Sequence, residues 1–164
     1  MSEVEEQVVS HKEEAGKIIK QLNSIPQVDM YLPSSLKDVI FCGHLVTDLD
    51  SIAGAIGAAV LYGGVASSAS KVNSETRFPL DYWKVEEPRP IEELLKEQPD
   101  AKICLVDHQQ TTQISSTIKI DNIVGVIDHH ALQSKTIVTD KPIYIDIRPW
   151  AHGDPCLQLL HIHF

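Results

Sequence analysis

Three short apolar runs constrain the fold of this chain most, because histidine and aspartate follow each of them directly. The runs and their polar followers are Val39-Ile40-Phe41-Cys42 before Gly43-His44, Cys104-Leu105-Val106 before Asp107-His108, and Ile123-Val124-Gly125-Val126-Ile127 before Asp128-His129-His130. Apolar runs of this length are typical of strands buried in a parallel sheet. The carboxyl ends of such strands share one edge, and ligands bind there. The sequence therefore predicts that these histidines and aspartates line one cleft.

The rest of the chain alternates between strand-like and helix-like segments. This alternation indicates an α/β fold, a Rossmann-like, mostly parallel sheet flanked by helices. Helices are expected over 51–62, where Gly63-Gly64 ends the first, and over 78–85 and 90–96. Strands are expected at the first apolar run and over 65–72, 102–106, 122–127 and 143–147, with a short helix or turn over 111–118.

We expect three parts along the chain. Residues 1–35 form an N-terminal helical extension and linker, with the helix over 3–23 and two prolines in the linker. Residues 36–150 form the α/β domain that carries the site. Residues 151–164 form an atypical C-terminal tail.

The composition argues against several classes of function. A net charge of −9 makes a nucleic-acid partner unexpected, because a phosphate backbone needs a basic face. The longest near-apolar run, 52–66, is short of the ~20 residues that span a bilayer, so no membrane partner is expected. Three widely spaced cysteines give no disulfide framework. We therefore expect a protein of a reducing, cytoplasmic compartment.

Carboxylates crowded into one cleft repel each other and resist burial, and bound cations would resolve that conflict. Asp48 and Asp50 follow His44 at spacings of four and six residues and could serve different ions. A carboxylate and imidazole set without thiolate suits Mn²⁺, with Co²⁺ or Mg²⁺ as alternatives. Two such ions would activate a water for displacement at phosphorus. Taken alone, Asp50 or Ser51 could instead cap the following helix, and His108 could be a loop residue.

The order G-H-x-x-x-D-x-D-S, then V-D-H, then I-D-H-H resembles the DHH phosphoesterase superfamily. Within that superfamily the chain looks most like the manganese-dependent family II inorganic pyrophosphatases. A further stretch supports this resemblance, namely Val72-Asn73-Ser74-Glu75-Thr76, then Leu80-Asp81-Tyr82-Trp83, then Pro88-Arg89. The similarity covers about residues 38–149.

The resemblance implies hydrolysis of pyrophosphate to two phosphates at a site with two Mn²⁺ ions. It implies that His44 and Asp48 are ligands of one ion, that Asp50 and His129 are ligands of the other, and that Asp107 bridges them. His130 would face the substrate and act in catalysis together with Asp107. His108 and Asp128 would be supporting residues. Members of this family commonly dimerise through a sheet edge, so a homodimer is also expected.

Several positions depart from the family pattern. Thr47 replaces the usual proline, Leu49 gives a D-L-D-S run, and Gln109-Gln110 replace Asn-Glu. His44 favours the pyrophosphatase branch, because exopolyphosphatases of the superfamily usually carry asparagine there. The other departures keep an exopolyphosphatase, or another phosphoesterase with the same site, as an alternative.

The last fourteen residues do not resemble the family, which continues with a further bridging aspartate and a second, basic domain. We therefore expect a truncated chain that keeps the fold and part of the metal site but turns over inefficiently. The remaining alternative is a catalytically silent metal-binding or interaction protein.

Overall fold

The computed structural model describes residues 36–131, 134–137 and 143–145, all within a compact unit that spans Pro33–Phe164. Its centre is a sheet of five strands, which are β1 (Ile40–Cys42), β2 (Val65–Ser67), β3 (Ile103–Val106), β4 (Ile123–Asp128) and β5 (Ile143–Ile145). Every pairing in this sheet is parallel. The predicted α/β fold is confirmed. The predicted N-terminal helix over 3–23 and the tail over 151–164 lie outside the described residues.

The strand order β2-β1-β3-β4-β5 fixes where a ligand can bind. From β1 the chain crosses to β2 on one side, and then returns past β1 to β3 on the other side. The order therefore reverses between β1 and β3, and the loops that leave these two strands diverge. In open α/β sheets the crevice at such a switch point, outside the carboxyl ends, is the usual ligand site.

Three α-helices connect the strands in the described residues, namely α1 (Leu49–Tyr62), α2 (Ser74–Trp83) and α3 (Ile91–Glu97). Helix α1 begins two residues earlier than predicted, because the side chain of Asp48 accepts a hydrogen bond from the Ser51 amide. The predicted cap at Asp50 or Ser51 is therefore wrong. Helix α2 begins four residues earlier than predicted, because Asn73 caps it in the same way through the Thr76 amide.

The remaining predicted elements differ in length. Strand β2 ends at Ser67 rather than extending to residue 72. The segment predicted as a short helix or turn contains one 3₁₀ turn, Thr111–Gln113, and a second such turn, Ile120–Asn122, precedes β4. Within the described part of the chain, no helix is long and apolar enough to cross a membrane.

Both faces of the sheet are buried, which explains why its strands are continuously apolar rather than alternating. Ile40, Ile103 and Leu105 face one side, where Ile91 and Leu94 of α3 complete the core. Their neighbours face α1 on the other side, and this second cluster includes Phe41, Cys104, Val106, Ala55, Ala58 and Ala59. The thiols of Cys42 and Cys104 are free and buried, as predicted. This two-sided packing fixes the strand ends that carry the site.

Candidate metal centre

Asp107, the residue after β3, is at the centre of the site. It is buried, and its backbone is left-handed with φ 62°. Aspartate adopts this region more readily than most side chains, and such conformations persist where the surrounding structure enforces them. Here the Asp107 amide donates to the Ile127 carbonyl of β4 at 2.9 Å. The strained turn is thus anchored to the neighbouring strand.

One oxygen of Asp107 faces the loop after β1. His44 Nε2 lies 3.5 Å from Asp107 Oδ2 and 3.4 Å from Asp48 Oδ2. Ser51 of α1 donates from its hydroxyl to the same Asp107 oxygen at 3.3 Å. Asp48 uses its other oxygen as the helix cap, so one carboxylate both starts α1 and faces the site. His44, Asp48 and Asp107 form one group of closely spaced ligand atoms.

The other oxygen of Asp107 faces the loop after β4. His129 Nε2 lies 3.3 Å from Asp107 Oδ1, and His130 Nδ1 lies 3.9 Å from it. These three residues form a second group of closely spaced ligand atoms. The two groups share Asp107, and each uses a different oxygen of its carboxylate. The structure thus joins all three strand-end motifs at one residue.

The donor atoms of the second group suit a cation. Asp107 Oδ1 and His129 Nε2 are buried, and within the described part of the chain neither makes a hydrogen bond despite their separation of 3.3 Å. An unpaired buried polar atom costs about 1–3 kcal/mol. Ligands held about 2.0–2.2 Å from one ion lie roughly 3.0–3.5 Å apart when their bonds make angles near 90–110°. A divalent cation would give both atoms a partner, and the residues therefore fit one.

Burial by itself would raise the pKa of Asp107. Its pairing with His44 and the charges of His130, His44 and His129 outweigh burial and lower this pKa below its usual value. The pKa of His44 is raised, chiefly by the pairing with Asp107 and against the effect of burial. The centre thus favours an ionised carboxylate, the form that binds a cation.

Asp128, the last residue of β4, holds His130. Its Oδ1 accepts hydrogen bonds from His130 Nδ1 at 2.7 Å and from the His130 amide at 3.2 Å. The side chain of Asp128 is fully buried, whereas that of His130 is 55% exposed. Because Nδ1 is occupied by Asp128, the second ring nitrogen of His130 remains for another partner. This geometry suits a histidine that contacts a substrate better than one that binds the ion.

His108 is one of the most buried side chains of the domain. Its Nδ1 lies 2.9 Å from the Val106 carbonyl, so this nitrogen carries the hydrogen and Nε2 is left as an acceptor. Burial lowers the pKa of His108, against the opposing effect of that carbonyl. His108 is therefore a neutral imidazole that packs edge-on against His44, with ring centroids 6.1 Å apart.

A pocket of about 170 Å³ opens beside the two ligand groups. It is lined by His44, His108, Gln109, Gln110, Gln113, Asp128 and His130. None of these lining residues is lysine or arginine. Arg77 pairs with Glu87, and Arg89 pairs with Glu97, each at 2.6 Å on the exposed surface. Among the described residues, these arginines are thus engaged with glutamates and do not line the pocket.

The structure brings together seven of the eight residues predicted from sequence, which are His44, Asp48, Asp107, His108, Asp128, His129 and His130. The eighth, Asp50, lies in the first turn of α1 with an exposed side chain, outside both ligand groups of the described chain. Its role as a ligand stays a prediction.

Sequence reasoning did not assign a role to three residues that support the site. Gln109 donates to the His130 carbonyl at 2.9 Å. Thr47 donates from its hydroxyl to the His44 carbonyl, and Ser70 donates to that hydroxyl from both its amide and its side chain. The amide of Thr47 in turn donates to the Ser70 hydroxyl at 3.2 Å, a bond that the proline usual in the family could not make. The departures from the family pattern at Thr47 and Gln109 were the sequence signal that could have identified these supporting residues.

Comparisons with known proteins identify the family. Residues 38–153 match the sequence profile described as "DHH family, N-terminal domain". The chain belongs to the DHH family. The resemblance drawn from its motifs is thus confirmed, and the matched range includes Asp128-His129-His130.

Two curated proteins and one solved structure are similar to this chain. A Bacillus cereus protein named "Probable manganese-dependent inorganic pyrophosphatase" is 34% identical over 119 residues, which cover 70% of this chain and 37% of the relative. A Bacillus anthracis protein of the same name shows the same identity and coverage. A solved structure titled "Crystal structure of Methanococcus jannaschii putative family II inorganic pyrophosphatase" matches with a TM-score of 0.55 at 30% identity. That match covers 64% of this chain and 33% of the other.

Proposed function

We propose that this chain hydrolyses inorganic pyrophosphate to two phosphates with two Mn²⁺ ions held at Asp107. One observation carries the proposal: the two oxygens of the buried Asp107 carboxylate face two separate groups of ligand atoms. A carboxylate placed in this way can bridge two ions. The names of the relatives support manganese as the metal and pyrophosphate as the substrate. The chain spans 37% of the length of these relatives, so their activity is part of the proposal.

The ligands are proposed as follows. His44 and Asp48 would hold one ion together with Asp107, and His129 would hold the other, also together with Asp107. Asp50 is proposed to join the second ion from the first turn of α1. When bound, two divalent cations activate the attacking water and neutralise the charge that displacement at phosphorus develops. Residues 36–150 are the proposed catalytic domain, and a homodimer through a sheet edge remains a prediction.

The chain's own residues supply the rest of the chemistry. His130 is held through Nδ1 by Asp128, so Nε2 is left for the substrate, and when the ring is protonated Nε2 donates a hydrogen bond to a phosphoryl oxygen. His108 and Asp128 are buried, and they support the site from the interior of the domain. The hydroxyl of Ser51 fixes the Asp107 oxygen that faces His44. These contacts hold the reacting groups in one geometry before substrate arrives.

A second candidate is hydrolysis of a longer or esterified phosphate by the same site. It is favoured by the lining of the pocket, which among the described residues includes three glutamines and no lysine or arginine. Pyrophosphate is a compact polyanion whose charge calls for cationic groups as well as metal ions. An ester or a polyphosphate chain places less charge at any one position.

Phosphate release tests these candidates. The purified 164-residue chain is incubated with pyrophosphate, long-chain polyphosphate or a nucleotide phosphoester, each with and without Mn²⁺. We expect Mn²⁺-dependent release that is fastest from pyrophosphate and is abolished in Asp107→Ala. Faster release from polyphosphate or the ester would favour the second candidate. Mn²⁺ that raises thermal stability without release from any substrate would contradict both and leave a silent metal-binding protein.

A further inference from the structure

We infer that Gln109 is a positioning residue that fixes the substrate-facing histidine, His130, from the neighbouring strand. The inference rests on the proposed function in one respect, which is that His130 contacts the substrate. It is otherwise carried by contacts between the loops after β3 and β4. These contacts involve none of the proposed metal ligands.

The first contact is between side chain and backbone. Gln109 Nε2 donates to the His130 carbonyl at 2.9 Å, and Gln109 is only 2% exposed. The His130 carbonyl oxygen can accept a hydrogen bond from the side-chain nitrogen of Gln109 but not from its side-chain oxygen. This bond therefore fixes which way the Gln109 side-chain amide is oriented. The amide oxygen is then buried and has no hydrogen-bond partner among the described residues. Gln109 thus leaves its own acceptor unsatisfied while it donates to His130. Losing a buried hydrogen bond of this kind is costly in free energy.

The second set of contacts makes Gln109 itself rigid. Its carbonyl accepts from the Ile137 amide at 2.8 Å, and the Thr111 amide donates to the Lys135 carbonyl at 3.0 Å. Gln110 and Thr136 form an antiparallel bridge between these bonds. Gln109 therefore holds the segment after β4 at two points, His130 and Ile137. A side chain that positions another is most accurate when its own backbone is fixed.

Gln109 and Asp128 form hydrogen bonds with opposite sides of His130. Asp128 accepts from the His130 amide and ring, while Gln109 donates to the His130 carbonyl. The ring is 55% exposed, and it contacts the ring of His129 at a centroid distance of 4.4 Å. The hydrogen bonds to Asp128 and from Gln109 are the directional contacts that set its orientation. If the Gln109 bond is lost, the His130 backbone can turn, and the two bonds to Asp128 cannot both be kept.

The test follows the ring of His130 directly. Histidine is labelled with ¹⁵N in the metal-free chain at about pH 8.5, well above the ordinary histidine pKa of about 6.5. The His130 signals are assigned by their loss in His130→Asn. We expect the Nδ1–H tautomer to dominate in the wild type and to become a mixture in Gln109→Met, which keeps the side-chain length and removes the donor. Gln98→Met removes an exposed amide at the end of α3, outside the pocket, and should behave as the wild type does.

Kinetics supply the second readout. In Mn²⁺-dependent pyrophosphate hydrolysis, Gln109→Met should lower kcat roughly 10- to 100-fold with little change in KM, because a misplaced group costs rate rather than binding. If Gln109→Met does not fold, Gln109→Asn is measured in the same way, since its shorter side chain draws the donor away from His130. In Gln109→Asn we expect a smaller shift of His130 from the Nδ1–H tautomer toward a mixture of the two tautomers.

Three results would overturn the inference. A wild-type ring that is mainly the Nε2–H tautomer overturns the inference, as does a tautomer unchanged in the folded Gln109 variants. A fall in kcat without a tautomer change means general structural damage and also overturns it. If the wild-type chain releases no phosphate, the proposed function fails, and the tautomer comparison alone decides whether Gln109 positions His130.

Discussion

The carboxylate of Asp107 and the imidazole of His129 face each other across two neighbouring parallel strands, with Asp107 Oδ1 3.3 Å from His129 Nε2. The register pairs Val106 of β3 with Ile127 of β4, so the residues that follow each strand come to the same edge. Both atoms are buried, and neither makes a hydrogen bond to any residue that the structure describes. A cation between them would satisfy both, which makes this pair the strongest sign of a metal centre.

Asp48 has two roles, as helix cap and as candidate metal ligand, and different substitutions can separate them. It caps α1 through Oδ1 and faces His44 through Oδ2. Asp48→Asn keeps a capping acceptor, so the free energy of unfolding should change by only a few tenths of a kcal/mol, whereas Asp48→Ala should cost about 1 kcal/mol. Both variants should bind Mn²⁺ more weakly. Urea unfolding of the metal-free chains and titration with Mn²⁺ check this, and wild-type affinity in Asp48→Asn would count against Asp48 as a ligand.

Gly54 allows α1 to pack closely on the sheet. A Cβ at this position would lie 2.6 Å from Cγ1 of Val106, the residue before Asp107. Gly54→Ala should therefore destabilise the fold by about 1–3 kcal/mol, although alanine is the better helix former. Val60→Ala on the same helix, at a position 76% exposed, should stay within about 0.5 kcal/mol of the wild type. Thermal unfolding measures both, and a more stable Gly54→Ala would show that the helix and strand are not in close contact.

Alkaline pH should weaken the fold through its buried thiols. Burial raises the pKa of Cys42 from 9.0 to about 11, against a smaller opposing effect of a hydrogen bond with Ser67, and burial also raises the pKa of Cys104. The unfolded chain loses these protons first, so the stabilisation is complete below pH 9 and is lost as pH rises toward 11. Each thiol contributes a slope of up to ~1.4 kcal/mol per pH unit.

Urea unfolding at about pH 8 and about pH 10 measures this effect. Lysine and tyrosine also titrate in that range, so the informative comparison is with Cys42→Ala, which should lose less stability between the two pH values than the wild type loses. An equal loss in both proteins would show that the Cys42 thiol is not protected by the fold.

The sheet and most of the site could be predicted because both depend on local patterns. The apolar runs before Asp107 and Asp128 predict buried strands, and parallel strands bring their carboxyl ends to one edge without further information. The strand-end histidines and aspartates therefore had to lie near one another. Their grouping around a single carboxylate needed the structure, because the left-handed turn at Asp107 is not encoded by spacing.

The supporting contacts could not be predicted because they join residues far apart in the chain. Gln109 meets His130 across 21 residues, and Thr47 meets Ser70 across 23 residues. The cap at Asp48 was missed for another reason. Asp48, Asp50 and Ser51 are all good capping residues, and only the backbone conformation decides which of them begins the helix.

Mn²⁺ stoichiometry tests the central claim most directly, because the claim is that one carboxylate serves two ions. Titration of the metal-free chain, followed by the electron paramagnetic resonance of free Mn²⁺, gives the number of ions bound. The surface variant Asp100→Asn, which removes an exposed pair with Lys119, serves as the matched control. We predict two ions per chain in the wild type and in this control, and the loss of high-affinity binding of both ions in Asp107→Asn. Undiminished binding of both ions by Asp107→Asn would contradict the account.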